Sequence, residues 1–275
     1  MKKGLIGISN NVKSNKDKIR VWSESFKRYV PDGEVILLVA NSTEEDIDAV
    51  KELGINYKII DINIDPWYIN NLRLIHTSEY LRESDIDLFM VTDVFDVIFQ
   101  SNPFDKFDID NYDFFVGGEG ITVNEEPWNK DVLNKCFPTE VNHCVDTEIV
   151  CSGVMGGKRE SLIPILEKMY DMCINSETNH NIRDQAALII LISKNEIERI
   201  KIFNLNDGWA MHCASSGPTE FLDGWGMGGT ITNRYGGIPK MVDGVVCTHE
   251  GHRYDIAHQF NRIPEWHEIL LKPYE

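Results

Sequence analysis

Basic residues are scarce in this sequence. Its 27 lysines and arginines stand against 44 aspartates and glutamates, which gives a formal net charge of −17. Proteins that bind nucleic acid or an anionic membrane surface neutralise phosphates with clustered lysine and arginine, and no such cluster is present. We therefore expect no nucleic acid partner.

Long hydrophobic runs, Cys-x-x-Cys pairs and a P-loop are also missing. The run Gly4–Ile8 is too short for a secretory signal, and no run approaches transmembrane length, so we expect a cytoplasmic protein without a transmembrane segment. Neither His143-Cys144 nor His212-Cys213 has zinc-ligand spacing, so we expect six reduced thiols rather than disulfides or zinc. Gly156-Gly157-Lys158 lacks the rest of a P-loop.

Strand-like and helix-like segments alternate through the first part of the chain, which is typical of α/β proteins. We predict one domain over 1–275, with an inserted loop or small lobe at about 119–146. The predicted segments are strands at Gly4–Ser9, Glu34–Ala40 and Tyr57–Ile62, and helices at Asp17–Tyr29, from Thr43 to Leu53 and from Pro66 to about Leu81.

The most informative stretch is Leu88–Asp105. Its apolar run Leu88–Val91 predicts a strand buried on both faces, and Asp93 and Asp96 follow at the carboxyl end. Ligands of open α/β sheets bind just outside the carboxyl ends of strands, and paired carboxylates suit Mg²⁺ or Mn²⁺. An ordinary solvated loop with two acids is the alternative.

The segment from Thr92 to Gln100, followed by Asn102-Pro103-Phe104, resembles the metal-binding DxD-like motif of GT-A glycosyltransferases in its spaced Asp-x-x-Asp form. Collagen lysyl hydroxylases and bacterial polysaccharide transferases carry similar motifs. The resemblance implies a GT-A-like, Rossmann-type nucleotide-sugar-binding domain with a mixed, mostly parallel central sheet flanked by helices. In such a domain 1–105 would be the nucleotide-binding half and 106–275 the acceptor and sugar half. It also implies that Asp93 and Asp96 hold a manganese or magnesium ion that bridges the diphosphate of a nucleotide-sugar.

Several further residues are expected to bind this donor. Ser9 and Asn10 end the first strand, and Arg73 resembles the donor-side arginine of lipopolysaccharide galactosyltransferases and glycogenin, although an ordinary surface arginine is equally compatible with the sequence. The small residues Ser152 and Gly153 permit close backbone approach. Their segment resembles the Asn-Ala-Gly-Val string of family 8 transferases, with Cys151 in place of the asparagine, which puts a sugar contact by that side chain in doubt.

Asp184 and Gln185 open a predicted helix, where an acid also complements the helix dipole. The pair resembles the Asp-Gln of retaining family 8 enzymes, which lies beside the anomeric carbon of the donor. The resemblance makes both residues catalytic candidates and implies retention of configuration.

A histidine is expected to complete the metal site. His258 lies in an Ala-His-Gln-Phe-Asn-Arg string that resembles a His-Gln-Tyr-Asp-Arg motif of bacterial relatives, with Asn261 in place of the aspartate. His249 follows a predicted strand, as in lysyl hydroxylases, and is the rival. Glycines and tryptophans at 207–209 and 223–229 are candidates for a sugar-contacting lid, or for an ordinary surface loop.

Together these features predict a metal-dependent, hexosyltransferase-like glycosyltransferase of polysaccharide biosynthesis. It would move a sugar from a nucleotide-sugar donor, a UDP-sugar, to a saccharide or glycoconjugate acceptor. Two alternatives stay open: a metal-dependent phosphatase or nucleotidyltransferase, which also places two acids at a strand end, and a non-catalytic saccharide-binding protein on a transferase fold.

Overall fold

The computed structural model of the protein describes residues 1–60, 69–178, 180, 182–218 and 228–274. The predicted helix start at Pro66, the last residues of the strand predicted at Tyr57–Ile62 and most of the glycine and tryptophan segment at 223–229 lie outside these residues. In the other lid candidate, 207–209, Trp209 is fully buried and donates a hydrogen bond to the Pro103 carbonyl, so it is a core residue and not part of a lid.

Strands and helices alternate along the described chain as the sequence predicts. The strands are β1 (Lys3–Ser9), β2 (Glu34–Ala40), β3 (Asn56–Ile60), β4 (Leu88–Thr92), β5 (Val97–Phe99), β6 (Phe114–Thr122), β7 (Glu148–Lys158), β8 (Ile200–Phe203), β9 (Ala210–His212), β10 (Lys240–Val242), β11 (Val245–Cys247) and β12 (Ile256–His258). The helices are α1 (Lys16–Tyr29), α2 (Glu44–Leu53), α3 (Ile69–Glu83), α4 (Pro127–Cys136), α5 (Val141–Cys144), α6 (Arg159–Ile174), α7 (Arg183–Ser193), α8 (Cys213–Ser216), α9 (Gly228–Tyr235) and α10 (Pro264–Leu271).

The centre of the fold is a seven-stranded sheet in the order β3-β2-β1-β4-β7-β6-β8. Strand β7 runs antiparallel to β4 and β6, and the other neighbouring strands pair in parallel. The prediction of a mixed, mostly parallel sheet is therefore confirmed.

Helices cover both faces of this sheet, because its central strands are apolar on both sides. In β4, Phe89 and Val91 face the core formed with α3, α6 and α7, whereas Leu88 and Met90 face the core formed with α1 and α2. Burial on both faces explains the unbroken apolar run that predicted this strand.

A second, three-stranded sheet in the order β5-β12-β9 lies beyond the carboxyl end of β4. Strand β5 pairs antiparallel with β12, which places Val97 opposite His258. Strand β9 pairs parallel with β12, which places His212 opposite His258. This small sheet therefore brings the late part of the chain back to the aspartates that follow β4.

The range 119–146, expected to be an inserted loop or small lobe, contains the end of β6 and the helices α4 and α5. Pro127 is the first residue of α4, and the Glu126 carboxylate accepts hydrogen bonds from the backbone N–H groups of Trp128 and Asn129. An acceptor before a proline is a helix start signal that the composition of the segment obscured.

Candidate active site

Asp93, Asp96 and His258 converge at the carboxyl end of β4. The Asp93 N–H donates to the Gly153 carbonyl at 2.8 Å, and the Gln259 N–H donates to the Asp96 carbonyl at 2.7 Å, so backbone hydrogen bonds hold both aspartates. His258 Nε2 lies 3.3 Å from Asp93 Oδ2 and 3.7 Å from Asp96 Oδ1. The predicted side chains thus form one cluster.

This cluster fits a divalent cation. One ligand atom from each of Asp93, Asp96 and His258 can be chosen so that all lie within 4.8 Å of one another. His258 is 1% exposed, and its Nε2 makes no well-directed hydrogen bond among the described residues, as expected of an atom whose partner is an ion. Two carboxylates and one imidazole suit Mn²⁺ or Mg²⁺, with remaining positions for water and phosphate oxygens.

His249, the rival histidine, lies elsewhere. Its ring packs against Gly236 and Gly237, and its Nε2 is 3.8 Å from the Glu250 carboxylate. The described part of the chain does not bring His249 together with the two aspartates.

Arg73 lies beside this cluster on α3 and is only 5% exposed, so the alternative of a surface arginine is wrong. One guanidinium nitrogen pairs with Asp93. The other lies 2.6 Å from Asp184 Oδ2 and 3.0 Å from the Ser152 carbonyl, and the Ser152 hydroxyl also donates to Asp184, at 3.0 Å. Arg73 therefore connects the predicted metal side of the site to the predicted sugar side.

The charges in this network determine which groups are ionised. Burial by itself would raise the pKa of Asp93, but Arg73 and His258 outweigh it and hold that pKa well below its usual range. Burial raises the pKa of Asp96, and the neighbouring charge of Asp93 adds to the effect. Burial lowers the pKa of Arg73, but Asp93 and Asp184 more than compensate, so the guanidinium stays charged.

Gly153 permits these groups to come together. A β-carbon at this position would lie 2.5 Å from His258 Cε1 and 2.7 Å from Asp93 Oδ2. The sequence predicted a close approach at Ser152 and Gly153. The approaching groups include two side chains of the candidate metal site, His258 and Asp93.

Two cavities meet at Arg73 and Asp93, which line both. The smaller, of about 190 Å³, is lined by the predicted donor residues Ser9 and Asn10 and also by Asp96. The larger, of about 480 Å³, is lined by Ser152, Gly153, Asp184, Gln185 and His258, among others. Every predicted site residue therefore lines one of two connected cavities.

The larger cavity also contains residues that the sequence did not single out. Glu119 in β6 is 5% exposed, and burial raises its pKa to about 7. Trp128 in α4 is 37% exposed, and its neighbour Asn129 accepts a hydrogen bond from Gln185 Nε2 at 2.8 Å. A lone glutamate within the otherwise uncharged strand Phe114–Thr122 was the one available signal for Glu119.

The fold is that of the GT-A glycosyltransferases. Among solved structures, the chain is similar to the galactosyltransferase LgtC in complex with donor and acceptor sugar analogs, with 14% identity, a TM-score of 0.54, and 93% of this chain and 86% of that chain covered. An active-site mutant of LgtC matches with 14% identity, the same coverage and a TM-score of 0.52. A scan of protein-family models and a search of curated proteins found no match.

None of the helices among the described residues is long and apolar enough to cross a membrane.

Proposed function

We propose that the protein is a metal-dependent glycosyltransferase that moves a sugar from a nucleotide-sugar, a UDP-sugar, to a saccharide or other hydroxyl acceptor with retention of configuration. The observation that carries the proposal is the convergence of Asp93, Asp96 and His258 where two cavities meet. A diphosphate spanning that junction would place the nucleotide in one cavity and the sugar in the other.

The residue types in the cluster indicate which metal ion it would hold. Asp93, Asp96 and His258 would hold Mn²⁺ or Mg²⁺, which supplies Lewis-acid stabilisation of the leaving diphosphate. Arg73 holds the Asp93 carboxylate in place and keeps it ionised. Ser9 and Asn10 line the cavity assigned to the nucleotide.

The proposed sugar side has a charged group, Asp184, and a neutral polar group, Gln185, and hydrogen bonds hold both in place. Asp184 accepts hydrogen bonds from both Arg73 and Ser152, so its role is to place negative charge near the anomeric carbon rather than to act as a free nucleophile. Gln185 is tied through its amide nitrogen to Asn129, which fixes its position on the cavity wall. The amide oxygen of Gln185 is the group available to face positive charge developing on the sugar.

A screen of nucleotide-sugars for thermal stabilisation and for hydrolysis, with and without Mn²⁺, tests the proposal. We expect one donor to stabilise the protein and to release a nucleoside diphosphate only with metal. Asp93→Asn should abolish both effects. The control is Asp48→Asn, which changes an aspartate that pairs with Lys51 on the surface and whose side chain is 71% exposed, and it should preserve both effects. NMR of the product's anomeric proton tests retention.

Other outcomes would contradict the proposal. Release of phosphate or pyrophosphate would favour a phosphatase or nucleotidyltransferase. Saccharide binding that ignores Mn²⁺, with no turnover of any nucleotide-sugar, would favour a binding protein.

A further inference from the structure

A second cluster lies on the opposite edge of the His258 ring. His258 Nδ1 is 3.0 Å from His212 Nδ1 and 3.5 Å from Cys151 Sγ. One ligand atom from each of the three residues can be chosen so that all lie within 4.8 Å of one another, and the three residues are between 0% and 3% exposed. Cys151 is also the residue that departs from the family 8 pattern.

The fold explains this convergence. His212 and His258 are opposite one another in the parallel pair β9 and β12, and Cys151 comes from β7 of the main sheet. The other nitrogen of the His212 ring faces Gly117, where a β-carbon would lie 2.6 Å from Nε2. This orientation leaves Nδ1 of His212 directed at His258 and Cys151.

Hydrogen bonding by itself does not account for the arrangement. A ring nitrogen carries either one proton or one lone pair, so His258 Nδ1 makes only one good hydrogen bond, and His212 and Cys151 compete for it. A single ion among the three groups would bind all of them.

The distances match those around a tetrahedral zinc ion. Zn–S bonds of about 2.3 Å and Zn–N bonds of about 2.0–2.1 Å at tetrahedral angles separate sulfur from nitrogen by about 3.5 Å, and nitrogen from nitrogen by about 3.3 Å. The observed separations are 3.5 Å and 3.0 Å.

We propose that Cys151, His212 and Nδ1 of His258 form a zinc-binding site. Cys151 and His258 both line the larger cavity, which gives an ion a route of entry and leaves the fourth position to water. One thiolate and two imidazoles suit a borderline-soft ion such as Zn²⁺ better than Mn²⁺ or Mg²⁺.

The two metal sites compete for one imidazole. A neutral ring has one lone pair, so zinc on Nδ1 leaves the proton on Nε2, which then donates to Asp93 instead of binding the outer ion. Zinc should therefore weaken Mn²⁺ binding at Asp93 and Asp96. This consequence rests on the proposed function, whereas the zinc site itself does not.

Cobalt substitution tests the zinc site without any enzyme assay. Co²⁺ bound tetrahedrally to a thiolate gives intense visible bands and a sulfur-to-metal charge-transfer band in the near ultraviolet. We expect the native protein to show both with one Co²⁺ per chain and to lose both when Zn²⁺ is added. Native protein that shows only the weak visible bands of octahedral Co²⁺ would overturn the proposal, even if no variant folds.

Three variants locate the ion. Cys151→Ser should remove the charge-transfer band and weaken Co²⁺ binding by about tenfold or more. Cys247→Ser, which changes a buried cysteine outside the cluster, should leave both unchanged. Asp96→Asn should abolish Mn²⁺ binding at the outer site while preserving the band, which separates failure of this inference from failure of the proposed function. A charge-transfer band that survives Cys151→Ser, or that disappears in Asp96→Asn, would contradict the assignment.

Discussion

Replacing Gly153 with alanine adds one methyl group at the point where the metal site is most crowded. The new carbon would lie 2.5 Å from His258 Cε1 and 2.7 Å from Asp93 Oδ2. Both neighbours are proposed metal ligands, so the substitution tests whether their present separation matters for cation binding.

The expected magnitude follows from these distances. Carbon atoms in contact are normally about 3.5–4.0 Å apart, so the His258 ring must move by about 1 Å. Overpacking of this kind costs about 1–3 kcal/mol of stability. A misplacement of about 1 Å in a preorganised site costs on the order of 100-fold in function, so we expect Mn²⁺ affinity to fall by about 10- to 100-fold.

The measurement is Mn²⁺ affinity by electron paramagnetic resonance or calorimetry, together with urea unfolding. Gly156→Ala in the same strand is the matched control, because its β-carbon would lie 2.5 Å from Phe107 Cζ and 2.9 Å from Met90 Sδ, away from the proposed ligands. This control should lose a similar amount of stability and keep its Mn²⁺ affinity. Native-like Mn²⁺ binding by folded Gly153→Ala would refute the assignment of Asp93 and His258 as ligands.

Three further predictions concern residues around the cluster. Arg73→Met should lower the free energy of unfolding by about 3–5 kcal/mol in urea titrations, because it leaves the carboxylates of Asp93 and Asp184 without their buried partner. A loss below about 1 kcal/mol, which is typical of a surface ion pair, would contradict this prediction. Burial raises the pKa of Glu119 from 4.5 to about 7, so its contribution to stability is full below pH 4.5 and is lost as the pH rises through 7. Between about pH 5 and about pH 8, Glu119 should lower the free energy of unfolding of the native protein by about 3 kcal/mol. Glu119→Gln should remove this part of the pH dependence, and an unchanged pH dependence would contradict the burial argument. Trp128→Ala should raise the KM for a saccharide acceptor by about tenfold, because it removes a stacking surface at the cavity wall, and initial rates with varied acceptor should show an unchanged KM for the donor.

Local patterns predicted the central part of the fold correctly. The apolar run Leu88–Val91 indicated a doubly buried strand. The carboxyl ends of the parallel strands β1 and β4 meet at one edge of the sheet, where Ser9 and Asp93 line the same cavity. These inferences succeed because burial and strand polarity leave a signal within a few residues. The helices of the range 119–146 were missed because mixed composition obscured their caps.

Relations between distant residues had no such local signal. The choice between His258 and His249 depends on the pairing of β12 with β5, and the burial of Arg73 depends on how α3 packs against the sheet. Spacing rules gave no sign of the proposed zinc site for a similar reason, because Cys151 and His212 come from strands of two different sheets.

The sequence by itself determined the α/β architecture, the central strand and the pair of acids at its end, since hydrophobic periodicity and strand polarity are short-range properties of a chain. Tertiary structure alone decided that one imidazole, His258, faces two carboxylates on one edge and a thiol with a second imidazole on the other. The physical reason is strand register. A shift of one residue in β12 would turn the ring to the opposite face of its sheet and separate it from both clusters.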